Sequence, residues 1–406
     1  MTRQSGLLPA WIVVAAGVAA AFHIGKLAPA IPALQEQLGV TLVQAGWLVS
    51  LVQLAGMLLG IVIGTAADGI GLRRTMLTGL TLVTVAGIAG GFAHSVGALL
   101  ALRAAEGVGV LLTTVPAPGL IRRLLQDDHV TRMLGVWGAY VPFGTGLALI
   151  LGPLLIHGPG WPWWWWAVAA GTALMGTLVA LLVPPDPLRG GSAPAGEGLV
   201  GRARRTLTHR GPWLAAAVFG LYASQWMAVI GFLPTLYAAA GWVGATGALL
   251  SGIVPFCNVI GNLAAGWGLH RGRSPATLLV TGLGGQAVGS FLAFTSLTEG
   301  APVIRYAGAL LFSTVGGLVP GALFALAPKI APSATTVSTS VGWIQQLSSA
   351  GQVLGPPFAA AVVGIVGGWQ WTWLITLATS GLGALAALAL QRDLRRRHPA
   401  ERGTAG

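Results

Sequence analysis

Charged side chains are scarce in this chain: only 8% of its 406 residues are Asp, Glu, Lys or Arg, and just 10 are acidic. A soluble globular domain carries about 25%, so water is not the main solvent of this surface. Cysteine is nearly absent. Cys257 stands alone in an apolar stretch, which excludes disulfide scaffolding within the chain. No group of carboxylates suits sodium, and no His/Cys/Asp grouping suits a metal. The serines and histidines lack partners at usable spacing, and no glycine loop cradles phosphate. The chain therefore reads as a non-enzyme without cofactors, driven by gradients rather than by ATP.

Apolar sequence takes the place of charge. The chain is 54% hydrophobic with mean hydropathy +0.77. Since a membrane-crossing helix needs roughly 20 apolar residues, twelve spans are expected, near 9–32, 42–67, 75–93, 97–120, 133–156, 162–183, 212–237, 244–269, 275–295, 302–327, 337–364 and 369–391. Residues 9–32 are too long for a signal peptide and are echoed later, so they read as a retained first span. The net charge of +12 lies almost wholly in the tails and alternate loops, and the other loops hold no Lys or Arg. That asymmetry is the positive-inside pattern. It puts both termini in the cytoplasm of a bacterial-type inner membrane and argues against nucleic acid as a partner. The stretch 184–211, rich in Pro and Gly and then in Arg, reads as a cytoplasmic linker with one short surface helix. It separates halves 1–183 and 212–391, and a basic tail follows at 392–406.

The halves repeat. A shift of 202 places Trp11 on Trp213, Pro32 on Pro234, Gly64 on Gly266, Arg103 on Arg305 and Pro118 on Pro320. A shift of 203 places Gly152–Pro153 on Gly355–Pro356, and WPWWWW at 161–166 is echoed by WQWTW at 369–373. The expected fold is an all-α membrane protein of two pseudo-symmetric six-helix halves. Parallel six-helix repeats are a recurring transporter plan, with the substrate near the midplane between them.

Three motifs carry a family resemblance. GTAADGIGLRR at 64–74 resembles the loop motif after the second span of the major facilitator superfamily. RAAEGVG at 103–109 resembles its fourth-span motif, and GQVLGPP at 351–357 has the G-x-x-x-G-P form of its fifth, here in span 11. Span 5 keeps only Gly152–Pro153, and Gly69 and Leu72 stand where arginines are usual. GVWGAYVPFGTG at 135–146 is similar to the branch containing cyanate and nitroimidazole transporters. The resemblance implies alternating access, with spans 1, 4, 7 and 10 lining a central cavity. It also implies that Gly56, Gly60 and Gly64 pack span 2 on span 11, against Gly351, Gly355 and Ala359. Asp68, Arg73 and Arg74 would then gate the inner side, with His270 replacing Asp68 in the second half.

A charge deep in a span costs about 2.5–3.5 kcal/mol on insertion scales, so Lys26, Arg103, Glu106 and Arg305 each need a reason. Under the resemblance, they and His23 surround one water-filled space. Lys26, Arg103 and Arg305 then form a cationic vestibule for an anion. Against this, Arg103 and Glu106 are three apart on one helical face and can neutralise each other, and Lys26 and Arg305 can snorkel outward. Glu106 is the leading group for proton coupling. Tyr140, Tyr222, Gln225, Trp226 and Gln346 are expected to complete the pocket, whereas Asn258 and Asn262 read as glue between helices. Two transport readings result: a small organic or inorganic anion, moved with protons, or proton-coupled export of amphipathic drugs or metabolites. Symport and antiport are both open. The partners are a small-molecule substrate, lipid and protons, and the expected form is a monomer.

Overall fold

The computed structural model describes residues 6–156, 158–186, 198–239, 241–242 and 244–397, and no strand occurs among them. Twelve helical spans run back and forth. Spans 1 to 6 are Leu7–Leu38, Leu42–Ile70, Leu72–Gly91, Val96–Leu124, His129–Ile156 and Trp161–Leu182. Spans 7 to 12 are Arg210–Ala239, Gly244–His270, Pro275–Phe294, Pro302–Ile330, Val337–Val366 and Trp369–Arg397. Ten contain a stretch long and apolar enough to cross a membrane. Spans 3 and 11 are of matching length but carry Arg and Thr, or Ser and Gln, among their apolar residues.

Four spans are broken where the sequence reads as continuous. Span 1 is interrupted by a 3-10 turn at Ala28–Ala30 before resuming as Ile31–Leu38, because Pro29 and Pro32 remove backbone donors and fix φ. Span 4 divides into Val96–Thr114 and Ala117–Leu124, and span 10 into Pro302–Gly316 and Leu318–Ile330. The repeat-related Pro118 and Pro320 fall within the first turn of the second piece, where proline is tolerated. Span 5 changes direction at Gly138, between Asp127–Trp137 and Tyr140–Ile156.

The first and last described residues and the described ends of the linker share one face, called here the basic face. Gly6 abuts Leu124, Arg123 reaches Asp186, and Gly211 lies beside Asp393. The short helix Leu199–Leu207 lies across this face and covers the end of span 2. The Arg202 guanidinium sits 2.8 Å from where a Cβ on Gly69 would be. An arginine from the linker thus occupies the ground that Gly69 leaves.

The halves meet through small residues. A Cβ on Gly60 would lie 2.5 Å from the Gly342 carbonyl, and one on Gly64 2.5 Å from the Ser338 carbonyl. Gly56 abuts Ser349. Across the pseudo-axis, Gly135 of span 5 meets Gly266 of span 8, a Cβ there falling 2.5 Å from the Gly266 Cα. Close approach of backbones of this kind is how helices associate in lipid, where hydrophobicity supplies no preference. The expected partner face was wrong in one respect. Gly351 and Gly355 pack on Gly220 and Ser224 of span 7. At 3.6 residues per turn, Gly351 lies about 180° round the helix from Gly342, so span 11 serves span 2 with one side and span 7 with the other.

Candidate functional site

Two i,i+3 pairs meet inside the first half. His23 and Lys26 project from span 1, Arg103 and Glu106 from span 4, and all four are 0 or 1% exposed. Glu106 Oε1 lies 2.5 Å from Lys26 Nζ and 3.2 Å from His23 Nδ1, while Oε2 accepts from Arg103 at 2.6 Å. Arg103 also donates to the carbonyls of His23 at 2.6 Å and Leu48 at 3.1 Å, tying spans 1, 2 and 4 together. The Lys26 ammonium rests 4.7 Å from the centre of a Trp165 ring, a cation–π contact. Trp164 donates to the Lys26 carbonyl at 2.9 Å. Room for the carboxylate comes from span 3: a Cβ on Gly87 would fall 2.9 Å from the His23 ring.

One carboxylate therefore faces a lysine, an arginine and an imidazole. His23 Nδ1 is 3.2 Å from both Lys26 Nζ and Glu106 Oε1. With Nδ1 unprotonated it can accept from the lysine, and with Nδ1 protonated it can donate to the carboxylate. His23 Nε2 and one Arg103 nitrogen have no hydrogen-bond partner. Removing either charge sign here would strand the other in a low-dielectric interior, at a cost of about 3–5 kcal/mol.

This cluster lies apart from the central cavity. The cavity lies between the halves and is bounded by Tyr140, Phe219, Tyr222, Trp226, Asn258 and Phe324, with Gln345 and Gln352 on span 11. Among the described residues, no charged one borders it. Tyr140 stacks on Trp137 at 4.3 Å, and Phe219, Tyr222 and Phe324 continue the aromatic wall. Asn258 donates to the Tyr222 hydroxyl at 3.1 Å and to the Ser313 carbonyl at 2.6 Å. It is thus part of the pocket as well as interhelical glue, contrary to expectation. The cavity holds about 40 Å³ of free space, enough for one or two waters and too little for a substrate, so binding requires the halves to part.

The remaining candidates scatter. Tyr140, Tyr222 and Trp226 reach the cavity, but Gln225 is turned about 100° away and accepts from Ser380 of span 12 at 3.2 Å. Gln346 accepts from the Ile61 backbone at 2.9 Å and joins spans 2 and 11. Arg305 lies far from the cluster, near the face opposite the basic one, beside Leu233, Tyr237 and Trp242, and donates to the Thr295 carbonyl at 3.3 Å. The side chain of Asp68 falls outside the described residues.

Arg73 and Arg74, expected at a gate, meet an acid the sequence did not suggest. Asp186 accepts from both of their backbone N–H groups, at 3.1 and 3.0 Å, and from Arg123 at 2.6 Å, while Arg73 donates to the Ala180 carbonyl. Asp186 caps span 3 and pins it to spans 4 and 6. Burial pushes its pKa up, but the Arg74 and Arg73 N–H groups and the Arg123 guanidinium outweigh burial and hold it below the ordinary value. The only hint of it was an acid between prolines in PPDP. At the other inner corner His270 meets Arg132 across the halves.

A family model for the Major Facilitator Superfamily matches residues 13–350. The chain belongs to this superfamily. The proton:xylose symporter XylE shares its fold, with a TM-score of 0.74 at 14% identity over 97% of this chain and 96% of that one. The tetracenomycin C resistance and export protein of Streptomyces glaucescens is 31% identical over 165 residues, covering 39% of this chain and 31% of that one. The puromycin resistance protein of Streptomyces alboniger is 31% identical over 158 residues, again 39% of this chain and 31% of that one. The chain thus spans about a third of the length of these curated relatives. It is a multi-pass membrane protein of this superfamily.

Proposed function

We propose that this transporter exports amphipathic aromatic compounds in exchange for protons, by alternating access across a bacterial inner membrane with the basic face in the cytoplasm. The observation that carries this reading is a cavity between the halves walled by aromatic rings and amides, with no charge on its border. Such a wall suits flat, largely apolar ligands with one or two polar groups. The name of the tetracenomycin C resistance and export protein points the same way, and the other relative is named for resistance to puromycin. Two of the three cations that favoured an anion are committed to Glu106, which leaves the anion reading to Arg305 alone.

Proton coupling is assigned to the Lys26–His23–Glu106 group. A proton reaching Glu106 cancels the one negative charge and sets Lys26 and Arg103 against each other. The packing of spans 1, 2, 4 and 6 around them must then change, and span 2 carries the glycine face that touches the second half. The cluster thus acts on the halves through helices rather than by touching the ligand.

The test is uptake into proteoliposomes carrying a pH gradient, with Nile red as a neutral aromatic probe and benzoate as an aromatic anion. Gradient-driven movement of Nile red, lowered about tenfold or more by Trp226→Ala, is the expected result. Movement of benzoate alone, abolished by Arg305→Gln, would restore the anion reading and sink this one.

A further inference from the structure

A second pocket lies at the basic face, where the linker ends and spans 7 and 12 come together. It encloses about 630 Å³ between residues 207–214 and 389–396. Arg210 and His209 line one side, Arg392 and Arg396 the other, and the Trp213 indole forms the wall between them. The one acid present, Asp393, is paired with Arg397 at 2.9 Å. Arg210, Arg392 and Arg396 have no carboxylate partner among the described residues. His209 commits Nδ1 to the Arg205 carbonyl at 2.6 Å, leaving Nε2 free.

The pocket is built rather than merely basic. Trp213 donates to the Leu207 carbonyl at 2.8 Å and packs against Trp343 at 4.5 Å, so its wall is tied to the linker helix and to span 11. Its lipid side continues as exposed apolar surface: Trp213 is 44% exposed, and Leu388 and Leu385, one and two turns further into span 12, are 45% and 66% exposed. Basic groups at the membrane surface beside a greasy track, with an interfacial tryptophan between them, match the two ends of a phospholipid.

We propose that this pocket binds a phosphate group, supplied by the headgroup of an anionic phospholipid whose acyl chains lie along span 12. Guanidinium forks from the two sides would clamp the phosphate oxygens. The headgroup would bridge the linker to span 12 and hold the hinge between the halves against the second half. This assignment is independent of the exported compound.

The full-length protein is placed in phosphatidylcholine nanodiscs with and without phosphatidylglycerol, and retained lipid is counted by native mass spectrometry. Wild-type protein retains phosphatidylglycerol. Retention affinity falls about fivefold per arginine removed, or about twenty-five-fold for Arg392→Gln with Arg396→Gln. The same charge change at Arg122→Gln with Arg273→Gln leaves it within twofold. A second arm measures melting with inorganic phosphate in phosphatidylcholine alone. A rise in Tm that the Arg392/Arg396 pair abolishes, with no retention of phosphatidylglycerol, upholds the phosphate site and overturns the lipid as its source. Equal losses from both arginine pairs, or neither lipid retention nor a melting shift in the wild type, overturn the proposal.

Discussion

Where spans 3 and 4 cross in the first half, a carboxylate sits between two cations. Where their repeat mates, spans 9 and 10, cross in the second half, two glycine backbones touch. Gly87 leaves space for His23 and Glu106, whereas its mate Gly289 abuts Gly308, which stands at the position of Glu106; a Cβ on Gly308 would lie 2.7 Å from the Gly289 carbonyl. Lys26 becomes Ala228, and His23 becomes Gln225, which pairs with Ser380. Only the arginine persists, as Arg305, and it no longer has a carboxylate to hold. The second half shows that this six-helix arrangement forms without buried ions. Burying them costs more than apolar packing would, which is what the proposed proton-coupling role would account for.

The comparison can be broken by substitution. Glu106→Ala should lower stability most, by about 3–5 kcal/mol, because it leaves Lys26 and Arg103 buried without an anion. Gly308→Ala, which only forces a methyl against a carbonyl, should cost about 1–3 kcal/mol. Denaturation of the detergent-solubilised protein ranks the two, and equal costs would mean that the halves are built alike. At the cavity, Trp226→Ala should weaken Nile red binding about tenfold, while Gln225→Ala, one residue away but facing span 12, should change it less than twofold. Fluorescence titration distinguishes them.

The smallest effect belongs to the basic face. Asp186 has a pKa below its unfolded value, so the stability it confers is present above about pH 4 and is lost as pH falls through the lower folded value. Asp186→Asn should therefore lower Tm by a few degrees at neutral pH. The difference from wild type should vanish in strong acid. A difference independent of pH would assign Asp186 a purely steric role.

The spans, the linker helix and the repeat were legible because they rest on patterns along the chain: apolar length, arginine in alternate loops, and Arg103 and Pro118 recurring at Arg305 and Pro320. The two i,i+3 pairs were legible too, as His23–Lys26 and Arg103–Glu106. Which way each helix turns was not. In a membrane the lipid-facing side of a helix is as apolar as its buried side, so Gln225 and Gln346 carry no mark of facing away from the cavity, nor Asn258 of facing into it. The inward turn of Lys26 depends on Gly87 and Trp165, from spans 3 and 6, whose proximity no spacing in span 1 reveals. Asp186 escaped notice because two of its three partners are backbone N–H groups, which every sequence has.

The central claim is that Glu106 and Lys26 carry the proton while the aromatic cavity carries the ligand. Lys26→Met with Glu106→Gln tests it directly, since the pair removes one charge of each sign and leaves the cluster's net charge unchanged. In proteoliposomes with an imposed pH gradient, the double variant should bind Nile red with unaltered affinity and equilibrate it across the bilayer without accumulating it. Accumulation that still follows the gradient, at the wild-type level, would contradict the account.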